Sequence, residues 1–309
     1  MNKTAFLFPG QGSQSIGMMS GFEANAVRDT FEEASAALGY DLWTVVQEDP
    51  DDRLGSTEVT QPALLAAGIA TWRVWKDEGG ADPDYLAGHS LGEYSALVAA
   101  GSLAFEDAVS LVARRGQLMQ QATPPGSGAM AAILGLDDEV LIEVCAKVAG
   151  DQVVSCANFN SPGQVVIAGD SDAVARAGEA ALEAGARRAV PLAVSVPSHC
   201  LLMKPAADAM AEVLAAVTVK EPSIPVLHNV DTASAVNEDA IRRSLVNQLW
   251  QPVRWSATVQ RLVEMGVGRF AECGPGKVLS GLNRRICRSC TTVALTGTDT
   301  LNNTLNDWS

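Results

Sequence analysis

Tyr85-Leu86-Ala87-Gly88-His89-Ser90-Leu91-Gly92-Glu93-Tyr94-Ser95 decides how this chain is read. A short apolar run ends in Gly-His-Ser-Leu-Gly and passes at once into small residues of helical character over 93–100. A serine with glycine two positions to either side, between strand and helix, is the pattern of a nucleophile elbow. The turn is so tight that side chains at Gly88 and Gly92 clash, and the serine hydroxyl is left exposed at the strand end. The helix starts there, so backbone N–H groups and the positive end of its dipole face any oxyanion formed on an attacked carbonyl. Taken alone, the motif also fits an ordinary strand-to-helix turn; the flanking strand and helix are the context that favours the catalytic reading.

Outward from the elbow, the chain alternates strands with helices. A buried strand over 4–8 runs into Pro9-Gly10-Gln11-Gly12-Ser13-Gln14. This loop is not a dinucleotide fingerprint, which needs glycine where Ser15 stands, nor a P-loop, since no Gly-Lys-Ser/Thr follows. It either brings backbone N–H groups to a ligand oxygen or is a plain turn. Helical patterns cover 23–38, 61–78 (with Pro62 in the first turn) and 105–121. Such alternation predicts an α/β fold with a mainly parallel sheet covered by helices.

The rhythm changes over 128–194. Strands at 129–134, 152–157, 164–168 and 188–194 with helices at 137–148 and 171–183 give β-α-β-β-α-β, the ferredoxin-like order. We therefore expect a small domain over 127–195 inserted into a large domain made of 1–126 and 196–309. The large domain resumes with the loop Ser195-Val196-Pro197-Ser198-His199. It continues as helix 205–217, strand 226–229, helices 238–249 and 256–265, strand 269–273, a helix through 286 and a closing strand 291–295.

At 309 residues and a net charge of −14, the chain is long enough for a sizeable core and lacks the basic stripe of a nucleic-acid binder. No run of eighteen apolar residues predicts a membrane span, and the N-terminal apolar stretch is too short for a secretory signal. Six irregularly spaced cysteines fit reduced, buried thiols in a cytoplasmic protein. Cys287-Arg288-Ser289-Cys290 is a lone C-x-x-C, read as incidental, and no metal is expected. The sequons at Asn2 and Asn302 then carry no meaning.

Ser90 needs a base to act near neutral pH, and there are three histidines. His89 adjoins Ser90, where neighbouring side chains point apart. His228 falls mid-strand and reads as structural. His199, in a Pro-Ser-His loop at the re-entry into the large domain, is the candidate by elimination. No acid between Ser90 and His199 stands out as a third member, which leaves a neutral acceptor such as a backbone carbonyl to orient the base. Arg115 lies on the apolar stripe of its helix with Phe105, Ala108, Val112 and Met119, whereas Arg114 lies on the polar face. A buried arginine must be paired. It is either half of a structural ion pair, the reading helical phase favours, or a fork for a ligand carboxylate.

Phe8-Pro9-Gly10-Gln11-Gly12-Ser13-Gln14, Gly88-His89-Ser90-Leu91-Gly92-Glu93, Arg115-Gly116 and Asn158-Phe159-Asn160-Ser161-Pro162-Gly163-Gln164 carry a resemblance, as do Val196-Pro197-Ser198-His199 and Asn247-Gln248-Leu249-Trp250. Together and in this order, the chain resembles the malonyl-CoA–acyl carrier protein transacylases of bacterial fatty acid synthesis; only the tail after Leu295 is unrecognisable. The resemblance implies an α/β-hydrolase-like domain with a ferredoxin-like insert. It implies that Ser90 carries the malonyl group as an ester, that His199 is general base and acid, and that Arg115 grips the malonyl carboxylate. It further implies an oxyanion hole from the N–H groups of Gln11 and Leu91, a Gln248 carbonyl orienting His199, and Asn160 lining the pocket. No cofactor is implied, because phosphopantetheine belongs to the carrier partner. Carrier proteins of such systems are acidic, so a local basic patch is needed for docking. Between Arg269 and Cys290 stand Arg269, Lys277, Arg284, Arg285 and Arg288 against Glu272 alone. With Arg187 and Arg188 these form either the docking face or merely solvated helix ends. A serine hydrolase and a carrier-binding module with a dead site are the competing functions.

Overall fold

The computed structural model describes residues 3–194, 196–235 and 237–308. Asn2 of the first sequon and Ser195 of the re-entry loop lie outside the described residues. In chain order the elements are β1 (Lys3–Phe8), α1 (Asn25–Leu38), α2 (Leu42–Gln47), α3 (Thr57–Asp77), β2 (Tyr85–Gly88), α4 (Gly92–Ala99) and α5 (Phe105–Gln121). Then come β3 (Gly128–Leu134), α6 (Asp138–Val148), β4 (Val154–Ser161), β5 (Gln164–Asp170), α7 (Ser171–Glu183) and β6 (Arg188–Pro191). A 3₁₀ turn (Leu201–Met203) leads to α8 (Lys204–Ala215), β7 (Val226–Leu227), α9 (Glu238–Gln248), α10 (Trp255–Glu264), β8 (Val267–Cys273), α11 (Val278–Ile286), β9 (Thr291–Leu295) and α12 (Thr298–Trp308).

Five strands form a parallel sheet in the order β7-β2-β1-β8-β9. Its middle strand reads Ala5-Phe6-Leu7-Phe8 without alternation, and all four are buried, because helices cover both faces of such a sheet. Phe8 pairs with Gly88, so β1 and β2 end level with one another. The loop after β1 and the elbow after β2 are thus adjacent at the carboxyl edge, where open α/β sheets bind ligands.

The second sheet has four antiparallel strands in the order β4-β5-β3-β6. Period-two alternation gives it two apolar faces. Ile133, Val165 and Ile167 pack under α6 and α7, while Met130, Ala157, Val166 and Ala168 pack on Cys200, the residue after His199. The small sheet therefore presses on the loop that carries His199. A second tie runs through Val253, whose C=O accepts from Phe159 N–H and whose N–H donates to Ala157 C=O, both at 2.9 Å.

Several elements depart from expectation. Helix α3 begins at Thr57, four residues before Gln61, so Pro62 lies in its second turn. Ser56 supplies the extended residue at the start, and its carbonyl accepts from Thr60 N–H at 2.7 Å. α2 was not anticipated; Asp41 caps it by accepting from Thr44 N–H. Nor was α12, whose Trp308 lies edge-on to Phe6 and Trp75. β7 stops at Leu227, so His228 follows the strand instead of sitting within it.

Candidate active site

The elbow is held by backbone contact. A Cβ on Gly88 would lie 1.9 Å from the carbonyl carbon of Gly92, and one on Gly92 would lie 2.0 Å from Phe8 O. Between them Ser90 has φ of +52°, a conformation rare for a non-glycine residue. On the β1 side, a Cβ at Gly10 would lie 2.5 Å from His89 O, so the loop carrying the exposed Gln11 lies against the elbow. Leu91 is buried at the N-cap of α4, where N–H groups have no partner within the helix.

Two groups meet at the serine hydroxyl. Ser90 Oγ is 2.8 Å from His199 Nε2 and accepts from Arg115 Nη2 at 3.2 Å. His199 Nδ1 lies 2.7 Å from Gln248 C=O, which fixes the tautomer with the proton on Nδ1 and leaves Nε2 free as a base. His199 also has positive φ, +64°. Burial first, and the Arg115 charge second, hold its imidazole down to about 3. It is therefore uncharged at neutral pH.

Among the described residues less than 2 % exposed, Arg115 is the largest side chain after Trp255, at 1 %. None of the ion pairs among the described residues includes it. Its partners are Gln61 Oε1 (2.8 Å), Gln248 Oε1 (2.9 Å), the serine hydroxyl and the face of the Tyr94 ring. Gly116 makes this possible. A Cβ there would lie 2.7 Å from Glu58 Cα, so α5 packs directly on the first turn of α3 and Gln61 comes within reach. Burial lowers the pKa of Arg115. Arg114 points outward to Gln117.

A second buried layer lies beneath. Asn229 Oδ1 accepts from Ser90 N–H at 2.7 Å, and its Nδ2 donates to Gly88 C=O at 2.6 Å. Glu93, fully buried, accepts from His228 Nδ1, Asn229 N–H and Gln248 Nε2. Burial disfavours the charged form of His228, but the Glu93 charge and hydrogen bond outweigh it and raise its pKa. Gln61, Glu93 and Asn229 were missed in the sequence. A glutamine amid the apolar run of α3 and a glutamate beside small residues were the available signals. His89 turns away from the serine, toward Asn160 Oδ1 at 2.8 Å, with Trp255 at 5.6 Å. Asn160 thus reaches the site through His89.

The acyl transferase domain family matches residues 5–302. The malonyl CoA-acyl carrier protein transacylase of Escherichia coli K12 is 56% identical over 297 residues, covering 96% of each chain. The chain belongs to this transacylase family. It is an acyltransferase. A crystal structure of an acyl carrier protein S-malonyltransferase from Vibrio cholerae shares 53% identity and a TM-score of 0.96 over 98% of this chain and 99% of that one. A malonyl-transacylase solved in complex with a type II PKS acyl-carrier protein shares 53% identity and a TM-score of 0.97, with 99% of each covered.

Away from Ser90, His199 and Arg115, the side chains of Arg187, Arg188, Arg284, Arg285 and Arg288 line a cavity of about 640 Å³ between the small sheet and α11. Arg285 Nη1 bridges to Gln164 of β5 at 2.6 Å. Lys277 is exposed at the opposite end of α11, and Arg269 stacks over Trp308. Glu272 does not oppose the cluster. It is buried and accepts from the N–H groups of Leu279 and Ser280, capping α11. The cysteine reading is corrected as well. Cys287 and Cys290 form a disulfide across the turn that follows α11, their Cα atoms 5.5 Å apart. The turn that closes with Cys290 N–H on Cys287 C=O brings them together. The other four cysteines are free and buried. Among the described residues no helix is long and apolar enough to cross a membrane.

Proposed function

We propose that the chain transfers a malonyl group from malonyl-CoA to the phosphopantetheine thiol of an acyl carrier protein, in the cytoplasm, through an ester on Ser90. Arg115 carries this reading. A buried guanidinium aimed at the nucleophile, and held only by neutral groups, is incomplete until an anion joins it. Malonyl brings a carboxylate at the end remote from its thioester, whereas a plain ester substrate has nothing to place there. The planar fork suits it.

In the first half, Ser90 Oγ attacks the thioester carbonyl while its proton passes to His199 Nε2. Gln11 and Leu91 offer their N–H groups to the oxyanion. Collapse breaks the carbon–sulfur bond, and CoA leaves as a thiol with the proton from Nε2. In the second half, the phosphopantetheine thiol gives its proton to Nε2 and attacks the ester carbonyl. Ser90 leaves and takes the proton back. No cofactor of the chain takes part. Arg115 is the second cause of His199's depression, so its pairing with the substrate carboxylate lifts part of that depression when the imidazole must accept a proton.

The arginine cavity is the docking face in this reading, since its five arginines offer an acidic partner a local positive surface in a chain of net charge −14. Lys277 extends it along α11 at most. Reversing Arg284 and Arg285 to glutamate raises KM for the carrier and leaves malonyl exchange with CoA intact; an unchanged KM removes the docking assignment. The central test is intact mass after malonyl-CoA, compared with acetyl-CoA, then chased with holo-carrier. The expected outcome is a persistent malonyl adduct on Ser90 that the carrier clears. Steady release of free acid, with indifference to Arg115→Ala, points instead to a hydrolase.

A further inference from the structure

We infer that Glu93 and Asn229, which touch no reacting atom, are positioning residues: one buried carboxylate sets both the backbone of the nucleophile and the direction in which Arg115 presents its fork. The inference rests on Arg115 being the carboxylate-binding group.

Asn229 is 1 % exposed and spends every polar atom on this layer. Its side chain spans the elbow, accepting from Ser90 N–H and donating to Gly88 C=O; its own N–H goes to Glu93 Oε2 and its C=O accepts from Arg254 N–H. Ser90 at φ +52° turns its N–H away from the strand ladder, and Asn229 Oδ1 is what receives it. The other backbone group of the same residue is held too. Ser90 C=O accepts from Gln248 Nε2 at 2.9 Å. The two residues that clamp the strained serine are thus themselves joined at one oxygen: Glu93 Oε2 accepts from the backbone N–H of Asn229 at 3.0 Å and from Gln248 Nε2 at 2.9 Å.

The second consequence concerns Gln248. Its amide stands between an anion, Glu93, and a cation, Arg115. Only one orientation satisfies both: NH₂ toward the carboxylate and oxygen toward the guanidinium. Turning it over sets NH₂ against the guanidinium and oxygen against the carboxylate. Glu93 therefore determines that Arg115 Nη2 meets an acceptor and stays beside Ser90 Oγ. Its remaining oxygen is held by His228 Nδ1 at 2.7 Å, so the carboxylate itself cannot swing. A glutamine at this position offers one oxygen where three donors need two. The same layer puts a negative charge one amide away from Arg115, near enough to offset part of its burial and too far to occupy its fork.

The experiment is single-turnover acylation of Ser90 by malonyl-CoA and by acetyl-CoA in the wild type, Glu93→Gln, Gln248→Leu, the double variant and Asn229→Ala. A loss acting through Arg115 falls on the acyl group that carries a carboxylate, and a general loss of fold falls on both. Glu93→Gln and Gln248→Leu are expected to lose about tenfold more with malonyl-CoA than with acetyl-CoA, with the double variant no worse than the worse single one. Asn229→Ala, which releases the elbow, is expected to lose about 100-fold with both thioesters at an unchanged ratio. If Glu93→Gln does not fold, Gln248→Leu keeps the Gln248 backbone carbonyl and tests the ratio alone. Equal losses on both thioesters, additive losses in the double variant, or an Asn229→Ala rate within threefold of wild type overturn the inference. A wild type that forms no malonyl ester, or prefers acetyl-CoA, overturns the underlying reading of Arg115 instead.

Discussion

Arg115→Met separates two accounts of a buried cation by measuring stability and activity on the same variant. If Arg115 were half of a structural ion pair, its removal would strand a carboxylate and cost about 3–5 kcal/mol. The structure gives a different sum. The substitution orphans two amide oxygens, Gln61 Oε1 and Gln248 Oε1, at roughly 1–3 kcal/mol each. It also abolishes the burial of a guanidinium whose desolvation costs several kcal/mol. The terms oppose one another, so the net change in urea-derived stability is expected within about 2 kcal/mol. Acylation by malonyl-CoA, which loses a desolvated charge pair of about 3–5 kcal/mol, should fall by roughly 10²–10⁴-fold. Acetyl-CoA never used the fork and should suffer far less. His199 is freed of its second depressing influence and shifts upward. A loss of 4 kcal/mol or more in stability together with a malonyl rate near wild type would refute the reasoning.

Four further outcomes follow from the geometry. His199 is held down to about 3 by burial and then by Arg115, so its base form persists and the acid limb of kcat/KM should fall well below the ordinary 6.5 or so. Below that ordinary value the unfolded chain binds the proton and the folded one does not. Stability is therefore lost as pH falls from about 6.5 toward 3, by up to about 5 kcal/mol, read as the wild-type minus His199→Asn difference in urea titrations. Gly88→Ala and Gly92→Ala drive a methyl into backbone and should abolish soluble protein, while Gly55→Ala, with nothing within 4 Å, should express normally. Alkylation of the denatured chain should label four thiols without reductant and six after reduction, and six at once would remove the Cys287–Cys290 pairing.

The parallel sheet was legible because β1 is apolar without alternation from Ala5 to Phe8 and β2 ends at Gly88, and the small sheet because the six elements around it are short and strictly ordered. What the pattern hid follows physical lines. α2 is a single capped turn and a half that buries only Leu42, Val45 and Val46, too short for a period to show. α12 is polar on most of its surface and earns its place through Leu301, Thr304 and a half-buried Trp308. α3 is buried almost all round, so its start could not be phased from an apolar stripe, and Pro62 misplaced it by a turn. The supporting residues of the site were harder still. Asn229 and Gln61 act through side-chain geometry set by other elements, and a lone amide in a sequence has no phase.

The missing acid has a physical account. Gln248 meets His199 through its backbone carbonyl and Arg115 through its side-chain oxygen, so both groups share one residue at 2.7 and 2.9 Å. A carboxylate placed there to orient the imidazole would lie within reach of the guanidinium and pair with it. The fork would then be occupied, and a substrate carboxylate would have to displace a buried anion to enter. A neutral carbonyl fixes the tautomer of His199 and leaves Arg115 its charge. The one carboxylate the layer does contain, Glu93, is kept an amide away and tied down by His228. An ordinary hydrolase triad and an unneutralised arginine beside the nucleophile are thus incompatible in so small a space. The absence of the acid and the presence of Arg115 are two sides of one arrangement.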